Sequence, residues 1–115
     1  METINAHGSS TPLGDRTESL AYEHAFGSGA AEIPVSATKG QHGHALGATG
    51  AWEVGVALMS MERGVIPATA NLSQTEEDCA IRPSAKEIAC RPQVVLSNSS
   101  GFGGINAALA IRAVR

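Results

Sequence analysis

Three short stretches hold the side chains best suited to chemistry: His7 to Thr11, Lys39 to His44, and Asn98 to Asn106. In the second, a lysine and two imidazoles stand directly before an apolar run from Gly47 to Arg63. Just ahead of a helix N-terminus, His44 would meet the positive end of the macrodipole, which opposes protonation and favours the neutral ring. A neutral imidazole can donate one N–H to a developing oxyanion if its other nitrogen accepts a bond that fixes the tautomer. The same spacing also suits a histidine that only braces the helix start. His7 lies among small residues that admit a ligand closely, and Ser9 and Thr11 add hydroxyls able to bind amide or phosphate groups, although such a run is equally a plain turn. Lys39 could orient a carboxylate. Glu53, inside the apolar run, is costly to bury without a partner, and Lys39 is the natural one.

Two other chemistries fit poorly. His42 and His44 form an HxH pair with His7 as a conceivable third zinc ligand, but the glycine between them fixes no ligand geometry, and no further cysteine or carboxylate stands at a useful spacing. We therefore expect no metal site. Gly101-Phe102-Gly103-Gly104 has the composition of a phosphate nest, yet no helix opening on Lys-Ser or Lys-Thr follows, which excludes a P-loop. Phe102 between glycines is instead a bulky ring on a pliant backbone, suited to gating.

The elements that must position these residues can be read from periodicity. Thr3 to Ala6 reads as a strand end, and Pro12 with Asp15 favours a helix running from about Gly14 to Phe26, closed by Gly27 and Gly29. Ile33 to Ala37 reads as a short strand feeding the Lys39 loop. From Gly47 to Arg63 apolar residues fall on nearly every side, the mark of a buried helix, and Gly64 suits its C-cap. Val65 to Leu72 reads as extended, and Glu76-Glu77-Asp78 as part of a solvated connection. Val94 to Ser97 and Ala107 to Ile111 read as strands whose connection, Asn98 to Asn106, is too long for a tight hairpin turn. Each chemical stretch thus follows a strand, so one site built from three converging loops is the economical expectation.

Composition sets the outer bounds. A chain of 115 residues with 43% hydrophobic and 17% charged residues can build one small core, and its apolar content is mostly small, since only 3% is aromatic. A net charge of -3 offers no broad basic face for nucleic acid. Neither a membrane-length apolar run nor the basic and apolar regions of a signal peptide is present, so a cytoplasmic protein is expected. Cys79 and Cys90 show no CxxC spacing and read as ordinary thiols.

Asn5 through Asp15, Ser36-Ala37-Thr38-Lys39, Gly43 through Ala48, and Asn98-Ser99 with Gly101-Phe102-Gly103-Gly104 resemble the C-terminal portion of the β-ketoacyl-acyl-carrier-protein synthases, the elongating condensing enzymes. The likeness runs in order over nearly the whole chain. It implies an α/β, thiolase-like fold in which residues 1 to 115 form part of the C-terminal αβα half, a mixed sheet with a buried core helix, incomplete on its own with exposed sheet edges. It implies that His7 and His44 are the two histidines that stabilise the enolate formed as malonyl-carrier protein loses carbon dioxide, with Lys39 in support and Glu53 as its structural partner. Ser9 and Thr11 would touch the phosphopantetheine arm and Phe102 would gate it. No bound cofactor is implied, because the substrate rides on acyl carrier protein. The partners implied are that carrier and the missing N-terminal half or a homologous synthase, dimeric when complete. The family's nucleophilic cysteine falls in a segment without a counterpart here, so the chain alone is expected to be inactive, and a non-catalytic accessory subunit is the alternative reading. His42, Ser100 and Ile105 stand where the family usually has threonine, phenylalanine and threonine.

Overall fold

The computed structural model describes residues 1–114. Its centre is β1 (Thr3–Asn5), a strand of only three residues, all of them buried. Alternation along a strand sends successive side chains to opposite faces, and here it sorts the layers. Ile4 and Ala6 pack with Tyr22, Val35 and Ile81 on one side. Thr3 and Asn5 line a small cavity with Ala57 and Ser60 on the other. Parallel strands covered on both faces need apolar or small residues throughout. Thr3, Ile4 and Ala6 meet that need, whereas Asn5 buries an amide whose two polar atoms have no hydrogen-bond partner among the described residues.

Tyr22 belongs to α1 (Pro12–Phe26), which starts two residues before its expected N-terminus because Pro12 is tolerated in the first turn, where its missing N–H costs nothing. The chain returns through a 3₁₀ segment, Gly27–Glu32, to β2 (Pro34–Ser36), parallel to β1 with Ile4 opposite Val35. The Lys39 stretch, read as loop, contains one helical turn, α2 (Lys39–His42). After a 3₁₀ turn, Leu46–Ala48, comes α3 (Thr49–Arg63), whose end is set by Gly64 in the left-handed region at φ 71°.

Beyond α3 the chain makes β3 (Val65–Ile66), β4 (Arg82–Pro83), β5 (Ile88–Ala89), β6 (Val94–Ser100) and β7 (Asn106–Arg112). The main sheet has the order β4-β2-β1-β6-β7, parallel except for β7, and β3 pairs with β5 in a separate antiparallel ribbon. Of the segment expected to be extended from Val65 to Leu72, only Val65 and Ile66 enter a strand. Pro83 stands in an edge strand, where a residue without an N–H disturbs no ladder.

The sheet keeps two open edges, as expected, at β4 and β7, while the opening strand β1 stands in the middle, bonded to β2 and β6. Two expectations need correction. The β6–β7 connection is shorter than expected, because pairing continues to Ser100 opposite Asn106 and leaves five connecting residues, still more than a two-residue turn, closed by Gly101 N–H donating to the Ile105 carbonyl at 2.7 Å. Finally, α3 is not a buried core helix. Only the stripe Thr49, Glu53, Ala57 and Ser60 is buried, while Trp52, Leu58 and Met59 remain 55%, 51% and 46% exposed. A helix apolar on every side needs cover on two faces, and the sheet supplies one.

Candidate active site

The three stretches leave the same ends of neighbouring strands. His7 follows β1, Lys39 follows β2, and Asn98 lies on β6. At Gly8 the chain turns with φ 42°, and a side chain there would press on the Ala37 methyl, so glycine lets the His7 loop lie against the approach to Lys39. Lys39, itself buried, donates from Nζ both to the His7 carbonyl and to Glu53 Oε1 on α3. The pairing expected of Lys39 and Glu53 is therefore present, and it ties three elements together.

His44 stands before α3 with its ring edge-on to that of His7, centroids 5.5 Å apart at 81°. Its Nδ1 lies 2.9 Å from Thr49 Oγ1, in the first turn of α3, and accepts the Leu46 backbone N–H at 3.2 Å. A backbone N–H can only donate, so Nδ1 carries no proton and the free proton sits on Nε2. Leu46 reaches this position with φ 51°, a left-handed conformation unusual for a branched side chain and held here by the turn it makes. Burial, then the nearby Lys39 ammonium, push the His7 pKa below its usual value, against a smaller opposing pull from Glu18.

Glu18 is the residue that sequence reasoning missed. From α1 it accepts the backbone N–H groups of His7 (2.7 Å) and Gly8 (2.9 Å), the Tyr22 hydroxyl (2.6 Å) and the Asn98 amide (2.9 Å). One carboxylate thus pins the His7 loop to the helix and to β6. Burial and the Glu18 charge together hold the Tyr22 phenol protonated, far above its ordinary pKa. The available signal was an acid at helical spacing before Tyr22 on the inner face of α1, which is weak without a partner in view. Glu53 is fully buried, and desolvation raises its pKa despite the Lys39 bond. Its Oε2, like His7 Nδ1, has no hydrogen-bond partner among the described residues.

The remaining expected site residues are less closely engaged. Ser9 is half-buried and Thr11 exposed; both hydroxyls face Gly14, where a side chain would collide with Thr11 Oγ1. Phe102 is 99% exposed in the turn between β6 and β7 and packs against neither histidine. Cys79 lies beneath α1 beside Ser19, and Cys90 bonds to Gly64 at the far end of α3, about 22 Å of helix from His44. What the cluster offers is two neighbouring imidazoles, at least one with a fixed N–H, over a buried ammonium–carboxylate pair.

Layering and strand order define a thiolase-like fold, and solved ketosynthases share it. The chain belongs to the β-ketoacyl synthase family: residues 1–73 match the family model described as the beta-ketoacyl synthase C-terminal domain. It is 40% identical over 110 residues to the tetracenomycin polyketide synthase ketoacyl synthase alpha subunit of Streptomyces glaucescens, covering 94% of this chain and 26% of that protein. A beta-ketoacyl synthase from Burkholderia phymatum STM815 superimposes with a TM-score of 0.84 at 39% identity, over 100% of this chain and 28% of the other. A ketosynthase solved with its type II polyketide acyl-carrier protein and bound to the hexaketide gives 0.93 at 33% identity, over 99% and 28%. The chain thus spans about a quarter of the length of these relatives.

Proposed function

We propose that this domain supplies the two histidines of a decarboxylative Claisen condensation, in fatty-acid or polyketide assembly, acting with further synthase segments that carry the nucleophilic cysteine. The observation that carries the reading is the edge-on pairing of His7 and His44 above Lys39. As malonyl thioester loses carbon dioxide, the electrons of the breaking C–C bond move into an enolate whose oxygen gathers charge. His44 Nε2–H and an N–H of neutral His7 stabilise that oxygen, and donors fixed before the reaction cost no reorganisation when charge develops. The enolate carbon then attacks an acyl thioester on the cysteine, forming the new C–C bond and releasing thiolate. Lys39 acts through the His7 carbonyl and Glu53, which makes it a positioning residue. Cys79 and Cys90 lie away from this cluster, which supports a nucleophile from elsewhere. Ser9 and Thr11 would meet the phosphopantetheine arm and Phe102 would gate its entry. The partner would be acyl carrier protein, as for the ketosynthase solved with its own carrier.

The test is malonyl-carrier decarboxylation by the domain assembled with the rest of a synthase. His7→Ala and His44→Ala should each lower the rate at least about a hundredfold, the scale of losing one preorganised oxyanion donor. Unchanged rates in both would reject the reading. The accessory-subunit alternative predicts association with a synthase and no dependence on either histidine.

A further inference from the structure

The glycine immediately before His44 has a positive φ and open space around it. Gly43 has φ 79° and ψ 179°, and nothing lies within 4 Å of where its side chain would be. Its N–H donates to the Lys39 carbonyl at 2.8 Å, but the peptide that joins it to His44 is held by one side chain. That side chain is His42, whose Nδ1 lies 2.8 Å from the Gly43 carbonyl. A carbonyl can only accept, so Nδ1 carries the proton. In the neutral ring Nε2 must then accept, and Thr38 Oγ1 lies 2.9 Å from it. Thr38 is buried and sits at the N-cap of α2, yet its hydroxyl caps nothing in that turn and is turned to His42 instead. The ring also lies beside that of Trp52, centroids 5.5 Å apart and tilted by 46°.

We propose that His42 is a positioning residue, a staple running from Thr38 through the imidazole to the Gly43 carbonyl, which orients the peptide entering His44. This rests on the proposed role of His44. On the far side His44 is held by Leu46 N–H and Thr49 Oγ1, so the staple completes its restraint from both directions. The two imidazoles carry opposite tautomers: His42 with the proton on Nδ1, His44 on Nε2. Small displacements of a reacting group are expensive in rate.

The test uses the domain assembled with the rest of its synthase. His42→Ala should lower kcat for malonyl-carrier decarboxylation about tenfold with KM nearly unchanged, because the loss falls on transition-state geometry. His42→Asn keeps a donor in place of Nδ1 and should recover most of that loss. Thr38→Val should lower kcat alone yet add nothing in the His42→Ala background. Full kcat in His42→Ala, or His42→Asn as impaired as His42→Ala, would overturn the proposal. Nitrogen NMR of the unsubstituted protein gives an independent check, since His42 found with its proton on Nε2 rules out the staple even if a variant misfolds. Unchanged decarboxylation in His44→Ala would instead reject the underlying function, and the tautomer would still decide whether the staple exists.

Discussion

Glu18 on α1 accepts the backbone N–H of His7 at 2.7 Å, across eleven residues of sequence, so the backbone position of this histidine is set by a carboxylate from another element. The same oxygen takes the Tyr22 hydroxyl and the Asn98 amide.

Replacing Glu18 should therefore unsettle both fold and site. Glu18→Ala leaves two backbone donors, a phenol and an amide without their acceptor, and an unmet buried donor costs roughly 1–3 kcal/mol. Some will find water, so a net loss of about 3 kcal/mol is expected in urea unfolding. Glu18→Gln keeps an acceptor oxygen and should lose less. Equal losses in the two variants would mean that packing, and not hydrogen bonding, is what Glu18 contributes.

His7 should titrate below 6.5, since burial and Lys39 both disfavour its charged form. Between that lowered value and 6.5 the unfolded chain binds more protons than the folded one, so stability falls as pH drops through this window. Histidine NMR should place the His7 midpoint below 6.5, and Lys39→Met should move it upward. A midpoint at or above 6.5 would contradict the described surroundings.

Lys39 and Glu53 form a buried pair, and breaking one side strands the other. Lys39→Met should cost about 3–5 kcal/mol, Glu53→Gln less, and the double substitution less than the sum. The raised Glu53 pKa also has a sign. The folded chain keeps that proton longer than the unfolded one, so its contribution to stability declines as pH rises from 4.5 through the raised value. Glu53→Gln should flatten that part of the pH profile, which thermal unfolding between pH 4 and 7 would read.

Much of the arrangement was legible because the signals were local. Pro12 and Gly27 bound α1, Gly64 closes α3, and the cost of burying Glu53 alone pointed to Lys39 before any contact was seen. What was not legible depended on partners remote in sequence. Glu18 gains its importance from Asn98, eighty residues away. The central place of β1 depends on β6, and nothing in Thr-Ile-Asn distinguishes a middle strand from an edge. The helical turn at α2 was hidden because Lys-Gly-Gln-His has no periodicity to read. The family resemblance supplied the pairing of His7 with His44, which spacing alone left open.

The open face of α3 gives the last expectation. Its sequence carries apolar residues on nearly every side, yet the sheet covers only the Thr49, Glu53, Ala57 and Ser60 stripe, leaving Trp52, Leu58 and Met59 about half exposed. Exposed apolar surface of this kind marks an interaction site or an aggregation hazard. The domain by itself should therefore self-associate in light scattering, and Leu58→Lys with Met59→Lys should abolish this without altering its circular dichroism, because both side chains are half exposed and lie off the buried stripe of α3. The same double substitution should prevent assembly with the rest of a synthase, where that face would be covered. A monodisperse monomer from the unsubstituted chain would show instead that the sheet and one helix stripe are enough, and that the other face of α3 tolerates water.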